Sequence, residues 1–335
     1  MSKTTFTDEN TQEDTGAAVR KKHGRFRLFF QLAAAVLFNG YIAGFVHGRL
    51  FTGKTKLICL LGSPVGHSLS PRLHNRAFRL LGLDYVYLCF DVKEDALPAA
   101  VEGLKKCGAR GFNLTMPDKN AILDLADELT PAVQLIGAAN TVVIDDGRLT
   151  AYNTDGTGFL RALAEAGTPI AGQDVLLLGA GGAASAIAAQ AALDGAASIR
   201  ICLRPGSRFE KRAEQLASGL NRQTSCKVSI ADITDQPALR GNIASSSVLI
   251  NATSVGMEPH PERCLIPDVS WLRPDLTVAD VIYHPHKTKL LSLAGSAGCR
   301  ICPGAGMLLW QGAEAFRLWT GCEMPVEEVR KQIRF

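Results

Sequence analysis

A two-domain α/β fold is what this sequence predicts, and three observations carry the expectation. From Lys56 onward, short apolar runs alternate with amphipathic helical stretches, as strands and helices do when they build mostly parallel sheets. The chain has 335 residues, which at roughly 100 to 200 residues per domain fits two units. Its 47% hydrophobic against 20% charged residues supply enough apolar surface to offset ordering entropy, which excludes a disordered, collagenous or low-complexity chain.

The apolar runs place candidate strands at 56–61, 85–90, 111–114, 141–144, 174–178, 198–203, 227–230, 248–251 and 278–281. Helices fill most of the intervals. Pro71 and Pro117 suit the first turn of a helix, where a missing N–H costs nothing. A break falls near 153–158. A Pro-Gly-Ala-Gly turn at 303–306 closes the series of strands, and the helix 307–320 after it is expected to return to the first domain. No internal repeat is visible.

Charge is unevenly spread. Residues 1 to 56 hold nine Lys/Arg against four Asp/Glu, leaving 27 against 28 for the rest. A neutral body lacks the basic footprint that phosphate-backbone binding requires, so nucleic acid is not an expected partner. Residues 1–19 are polar. After Arg20, Lys21, Lys22, Arg25 and Arg27 comes the apolar run 28–46, followed by Arg49, Lys54 and Lys56. Basic flanks suit a helix lying on, or dipping into, an anionic membrane surface; the competing reading packs it on the body or a partner subunit. The nine cysteines are scattered through apolar segments, as reduced core thiols are in a cytoplasmic protein. Cys299 and Cys302 form a C-x-x-C without a second pair, and His284 and His286 lack supporting ligands, so no metal is expected.

The clearest chemical signal is the strand 174–178 running into Gly179-Ala180-Gly181-Gly182-Ala183-Ala184 and a small-residue helix to Leu193. This is a dinucleotide fingerprint: Gly179 permits a tight turn, Gly181 lets backbone approach a pyrophosphate, and Ala184 stands where helix and strand pack closely. The helix N-terminus favours the anion. After the next strand no acid is positioned for ribose hydroxyls; Arg204 and Arg208 stand there instead, favouring a 2′-phosphate and hence NADP over NAD.

In the first half, Ser68 and Ser70 flank a strand-to-helix turn, where Ser70 serves either as N-cap or as a grip on a polyhydroxylated anion. Lys119, two residues after Pro117, is expected in a first helical turn, where the dipole disfavours a solvated cation and suits a proton donor. Asp155 precedes another helix and reads equally as its N-cap. With Thr115 and Asn140, these residues form a polar set at strand ends, where open α/β sheets bind ligands.

At this point the sequence resembles the shikimate dehydrogenase family, nearest its quinate/shikimate dehydrogenase branch. The resemblance covers about residues 56–335 and rests on HSLSP (67–71), NLTMPDK (113–119), GAANT (137–141), YNTDGTG (152–158), GAGGAA (179–184), NATSVGM (251–257), YHPHKTKLL (283–291) and GMLLWQGAEAF (306–316). It implies that Lys119 and Asp155 are the catalytic pair for reversible NADPH-dependent reduction of 3-dehydroshikimate to shikimate in aromatic amino acid biosynthesis. It further implies substrate contacts from Ser68, Ser70, Thr115, Asn140, Tyr283 and Gln311, and cofactor contacts from residues 179–183, Arg204, Arg208 and Gly304. The enzyme would work as a monomer or homodimer. Where NADP-using relatives read Asn-Arg-Thr, this chain reads Leu203-Arg204-Pro205, so NAD stays an open alternative; quinate stays open as well, because one added hydroxyl near a polar pocket depends on geometry. So does a non-catalytic dinucleotide-sensing module. The expected division is an extension (1–54), a substrate domain (55–154 with 304–335) and a Rossmann-like NADP domain (155–303), with the active site in the cleft.

Overall fold

The computed structural model describes residues 51–331; the run 28–46 and its membrane reading lie outside them. Six strands make the first sheet: β1 (Lys56–Gly62), β2 (Tyr85–Asp91), β3 (Gly111–Leu114), β4 (Glu128–Leu129), β5 (Thr141–Asp145) and β6 (Arg148–Tyr152), in the order β2-β1-β3-β5-β6-β4. Strands β1, β2 and β3 run parallel, whereas β5 pairs antiparallel with both β3 and β6. This sheet is therefore mixed. The sequence reading missed β6 because Arg148-Leu-Thr-Ala-Tyr carries a charge and few branched residues. The signal available was Asp146-Gly147, both at positive φ (46° and 75°), the two-residue turn that closes a hairpin. The antiparallel turn brings the start of β5 to the sheet edge where β1, β3 and β6 end, which puts Asn140 beside the residues that follow those strands.

The second sheet comprises β7 (Asp174–Leu178), β8 (Ser198–Leu203), β9 (Lys227–Asp232), β10 (Val248–Asn251), β11 (Thr277–Asp280) and β12 (Arg300–Cys302). All its strands are parallel, ordered β12-β11-β10-β7-β8-β9. That is the doubly wound Rossmann order, with its reversal between β7 and β10, where such sheets open a crevice for ligands. Most of these strands read as unbroken apolar runs because helices cover both faces. Helix Gly182–Leu193 is apolar nearly all round, with eight of its residues buried.

Two helices join the sheets. Asp155–Glu165 and Ala305–Thr320 cross closely, and a Cβ at Gly158 would collide with the backbone of Gln311. Trp310 Nε1 donates to Glu165 at 2.9 Å, and Arg330 bonds the same carboxylate. At the far end, Trp319 Nε1 donates to the carbonyl of Val142 on β5 at 3.0 Å. The last helix is thus bonded to both the crossing helix and the first sheet. Among the described residues no helix is long and apolar enough to cross a membrane.

Candidate active site

Lys119 and Asp155 meet at the ends of β3 and β6. Their Nζ and Oδ2 atoms are 2.6 Å apart, with side chains 28% and 12% exposed. Two expectations change here. Lys119 lies in a turn after β3, ahead of the single 3₁₀ turn Ala121–Asp124, not in the first turn of an α-helix. Lys119 belongs to no helix of its own, and Asp155, the first residue of the helix Asp155–Glu165, is its electrostatic partner. Nor is Asp155 an N-cap: it opens its helix, Thr154 precedes it without a side-chain cap bond, and the carboxylate turns toward Lys119. The side chain of Asn153 accepts from the Asp155 amide instead, at 3.1 Å.

Asn140 holds the other carboxylate oxygen, its Nδ2 donating to Asp155 Oδ1 at 2.8 Å and to Thr154 Oγ1 at 3.0 Å. Its own oxygen accepts from the Thr154 amide at 2.8 Å and the Thr141 hydroxyl at 3.0 Å. Those acceptances fix which way the amide faces. Behind it, Asn113 Nδ2 donates to Thr141 Oγ1 and to the Asn140 carbonyl. Asn113, Thr141 and Thr154 were not singled out as site residues. Polar side chains ending apolar runs were the available signal.

These groups face a cavity of ≈ 300 Å³. Ser68, Ser70, Thr115, Lys119, Asn140 and Asp155 line it from the first sheet; Ala183, Tyr283, Gly304 and Gln311 line it from the second sheet and the crossing helix. Ser68 Oγ accepts from the Ser70 amide at 3.2 Å, so the first hydroxyl steadies the turn that presents the second. Tyr283 is 41% exposed at the mouth. The wall thus combines several hydroxyls and amides with one cation paired to one carboxylate, the chemistry to hold a polyhydroxylated acid and move a proton at one oxygen.

Gly179 stands at φ +106°, and a Cβ there would press on Ala252 and Thr253 after β10, at the sheet's reversal. Only glycine fits that turn. Gly181 and Gly182 face open space, and no side chain caps the helix beginning at Gly182. This cradle of unobstructed backbone at a helix N-terminus fits a dinucleotide pyrophosphate. Gly179, Ala180, Gly181 and Gly182 lie beside the cavity wall, not on it; Ala183 reaches the cavity. Gly304 is needed for close approach, since a Cβ would meet the carbonyls of Val281 and Ile282. Arg204 and Arg208 are exposed beyond β8, with Arg208 over the Phe209 ring at 4.7 Å. Neither has an ion-pair partner among the described residues. At the end of the same loop the Glu210 carboxylate accepts from the Gly206 amide at 2.8 Å. Among the described residues, no three His, Cys, Asp or Glu gather as metal ligands.

Two buried carboxylates flank these features. Asp280, ending β11, accepts from Asn251 Nδ2, the Thr288 hydroxyl and the Ile282 amide, tying together two loops that the sequence singled out separately. Asp118, beside Lys119, is buried, and among the described residues neither of its oxygens has a hydrogen-bond partner. Burial, with Glu94 adding a smaller like-charge contribution, pushes its carboxyl up from the usual range. A carboxyl raised by folding binds its proton more tightly in the native state. Stability is therefore greatest below the unfolded value and is lost as pH rises through the folded one. Asp118→Asn, the isostere of the neutral acid, should raise stability more at pH 8 than near pH 4. Thermal unfolding at both pH values measures this; an equal shift at both would contradict it.

Comparison with known proteins agrees with this architecture. Residues 60–142 match the model of the shikimate dehydrogenase substrate binding domain, and residues 304–334 that of the shikimate 5′-dehydrogenase C-terminal domain. The shikimate dehydrogenase (NADP(+)) of Listeria monocytogenes serotype 4b is 49% identical over 280 residues, 84% of this chain and 96% of that protein. A crystal structure of shikimate 5-dehydrogenase from Listeria monocytogenes in complex with shikimate and NAD superposes with a TM-score of 0.82 at 49% identity, covering 84% of this chain and 98% of that one. Quinate dehydrogenase from Corynebacterium glutamicum in complex with NAD gives a TM-score of 0.74 at 32% identity, covering 83% and 98%.

Proposed function

The chain belongs to the shikimate dehydrogenase family, and from that premise we propose that it catalyses the reversible NADPH-dependent reduction of 3-dehydroshikimate to shikimate. The observation that carries the reading is the Lys119–Asp155 pair at 2.6 Å in a cavity walled by hydroxyls and amides. On this reading residues 55–154 with 304–335 bind substrate and residues 155–303 bind the dinucleotide.

A nicotinamide dinucleotide, which the turn 179–182 and the helix N-terminus after it would hold, would supply a hydride to the ketone carbon. The carbonyl oxygen then carries the electron pair and needs a proton. Lys119 Nζ stands where it can give that proton, and Asp155 Oδ2 holds the ammonium oriented toward the cavity. Asn140 keeps Asp155 from rotating away. Ser68, Ser70, Thr115, Tyr283 and Gln311 offer hydrogen bonds to hydroxyls and a carboxylate. In the reverse direction neutral Lys119 would take the hydroxyl proton, with the oxidised nicotinamide as the hydride acceptor. A dinucleotide-sensing module would have no use for this paired acid and base. The nine thiols, all unpaired, suit a catalytic body in a reducing cytoplasm.

Arg204 and Arg208, without carboxylate partners among the described residues, support NADP as the working cofactor. Initial rates with shikimate and quinate, each against NADP and NAD, test the assignment. Shikimate with NADP should dominate; comparable quinate rates would move the protein to the quinate branch. Replacing both arginines by Ser should raise the KM for NADP about 10- to 100-fold and leave NAD rates within about twofold, since a charge-assisted bond to phosphate contributes roughly 1.5 to 3 kcal/mol. An unchanged KM for NADP would make them ordinary surface residues.

A further inference from the structure

We propose that Tyr87 is a positioning residue for the proton-transfer pair, acting through an unbroken line of hydrogen bonds that runs from its phenol to the carboxylate of Asp155. The inference rests on the dehydrogenase reading of the same site and goes beyond it, because Tyr87 is fully buried and does not line the cavity.

Each link is defined. Tyr87 Oη donates to Asn113 Oδ1 at 2.8 Å. Asn113 Nδ2 donates to Thr141 Oγ1 at 2.9 Å, and that hydroxyl donates to Asn140 Oδ1 at 3.0 Å. Asn140 Nδ2 donates to Asp155 Oδ1 at 2.8 Å, while Asp155 Oδ2 accepts from Lys119 at 2.6 Å. Every donation points the same way, from the core toward the carboxylate. In such a line each bond polarises the next, and each amide is held against flipping by the bond behind it. Asn113 illustrates the need: both its Nδ2 donations depend on its oxygen facing β2, and the Tyr87 hydroxyl is the donor found there. Without it Asn113 is held only through its Nδ2 donations, the Thr141 hydroxyl is less firmly oriented, and Asn140 keeps Asp155 in place with the Thr154 contacts alone behind it.

The surroundings keep Tyr87 a neutral donor. Burial pushes its phenol well above the ordinary value. His74, stacked on its ring at 4.5 Å, is pushed down to about 3 by burial and stays uncharged. Burial also raises the thiols of Cys59 on β1 and Cys89 on β2. A hydrogen bond with Ser70, on the helix Ser70–Leu80, works the other way on the phenol but is outweighed by burial. Among the described residues these groups around Tyr87 are uncharged near neutral pH, so Tyr87→Phe removes a hydrogen-bond donor and no charge.

The test uses the full chain with shikimate and NADP. Tyr87→Phe keeps the ring and deletes the donor. The expected result is a kcat about 5- to 20-fold lower, a shikimate KM within about twofold, and an acid limb of the kcat profile moved to higher pH, since a carboxylate losing a hydrogen-bond donor holds its proton more readily. Phe78→Leu, in the same core but off the line, controls for loosened packing: it should lower Tm without moving the pH profile. In an Asn113→Ala background, Tyr87→Phe should have no further effect, because the line is already cut. A Tyr87→Phe enzyme with lower Tm but wild-type kcat and pH profile would overturn the inference, as would full additivity with Asn113→Ala. A wild-type chain idle on both shikimate and quinate would overturn the dehydrogenase reading itself, and the positioning role with it.

Discussion

Lys119→Ala should lower kcat for shikimate oxidation by about 10²- to 10⁴-fold, the usual contribution of a positioned acid or base, equivalent to about 2.7 to 5.5 kcal/mol of barrier. The reason is local. Among the cavity-lining residues Lys119 is the cation paired with the Asp155 carboxylate, and the nearby amides are already committed to each other. Dinucleotide binding should survive, because the glycine turn at 179–182 belongs to the other sheet and has no contact with the lysine that a bond defines. Stopped-flow turnover together with a fluorescence titration of NADPH separates the two. A drop smaller than tenfold would remove Lys119 from proton transfer.

The largest effect on stability is expected at Asp280. Its carboxylate accepts from Asn251 Nδ2 at 3.2 Å, Thr288 Oγ1 at 2.8 Å and the Ile282 amide at 3.0 Å, all away from solvent. Asp280→Ala leaves those donors facing a small void, and each stranded buried donor costs about 1 to 3 kcal/mol. Asn251 retains a bond to the Val255 carbonyl, so the total should fall near 3 to 5 kcal/mol, lowering Tm by roughly 6 to 15 °C. The loops after β10 and β11 should also drift, and with them Tyr283. A raised KM for both shikimate and NADP is the functional sign. Burial holds the Asp280 carboxyl above its usual range despite these bonds, so Asp280→Asn should be much the milder change. Differential scanning calorimetry of both variants decides this, and equal losses would mean that the site tolerates neither shape nor charge change.

Strand β7, the glycine turn after it and the alternation of apolar runs were legible because each is a local pattern. A tight turn needs Gly179 whatever surrounds it. The polar residues at strand ends were legible for a related reason: open α/β sheets gather ligands at one edge, so Thr115, Asn140 and Asp155 could be grouped before their distances were known. The hairpin β5–β6 was lost because its second strand is weakly apolar. Pro117 suggested a helix that the chain does not form, since the turn at 116–120 leads only to a single 3₁₀ turn.

The sequence by itself determined the class of fold, the position of the dinucleotide turn and the residue types available for proton transfer, because these follow from periodicity, backbone freedom and side-chain chemistry over a few residues. Tertiary structure alone decided which of those residues touch. Asp155 reads as a helix cap until Lys119, 36 positions earlier, is seen 2.6 Å away. Asp280 reads as a strand end until Asn251 and Thr288 converge on it. Tyr87 reads as core until its phenol is traced to Asn113 on a strand two positions away in the sheet. Hydrogen bonds between distant strands depend on sheet order and register, and a periodic pattern in one segment carries no information about which segment lies beside it.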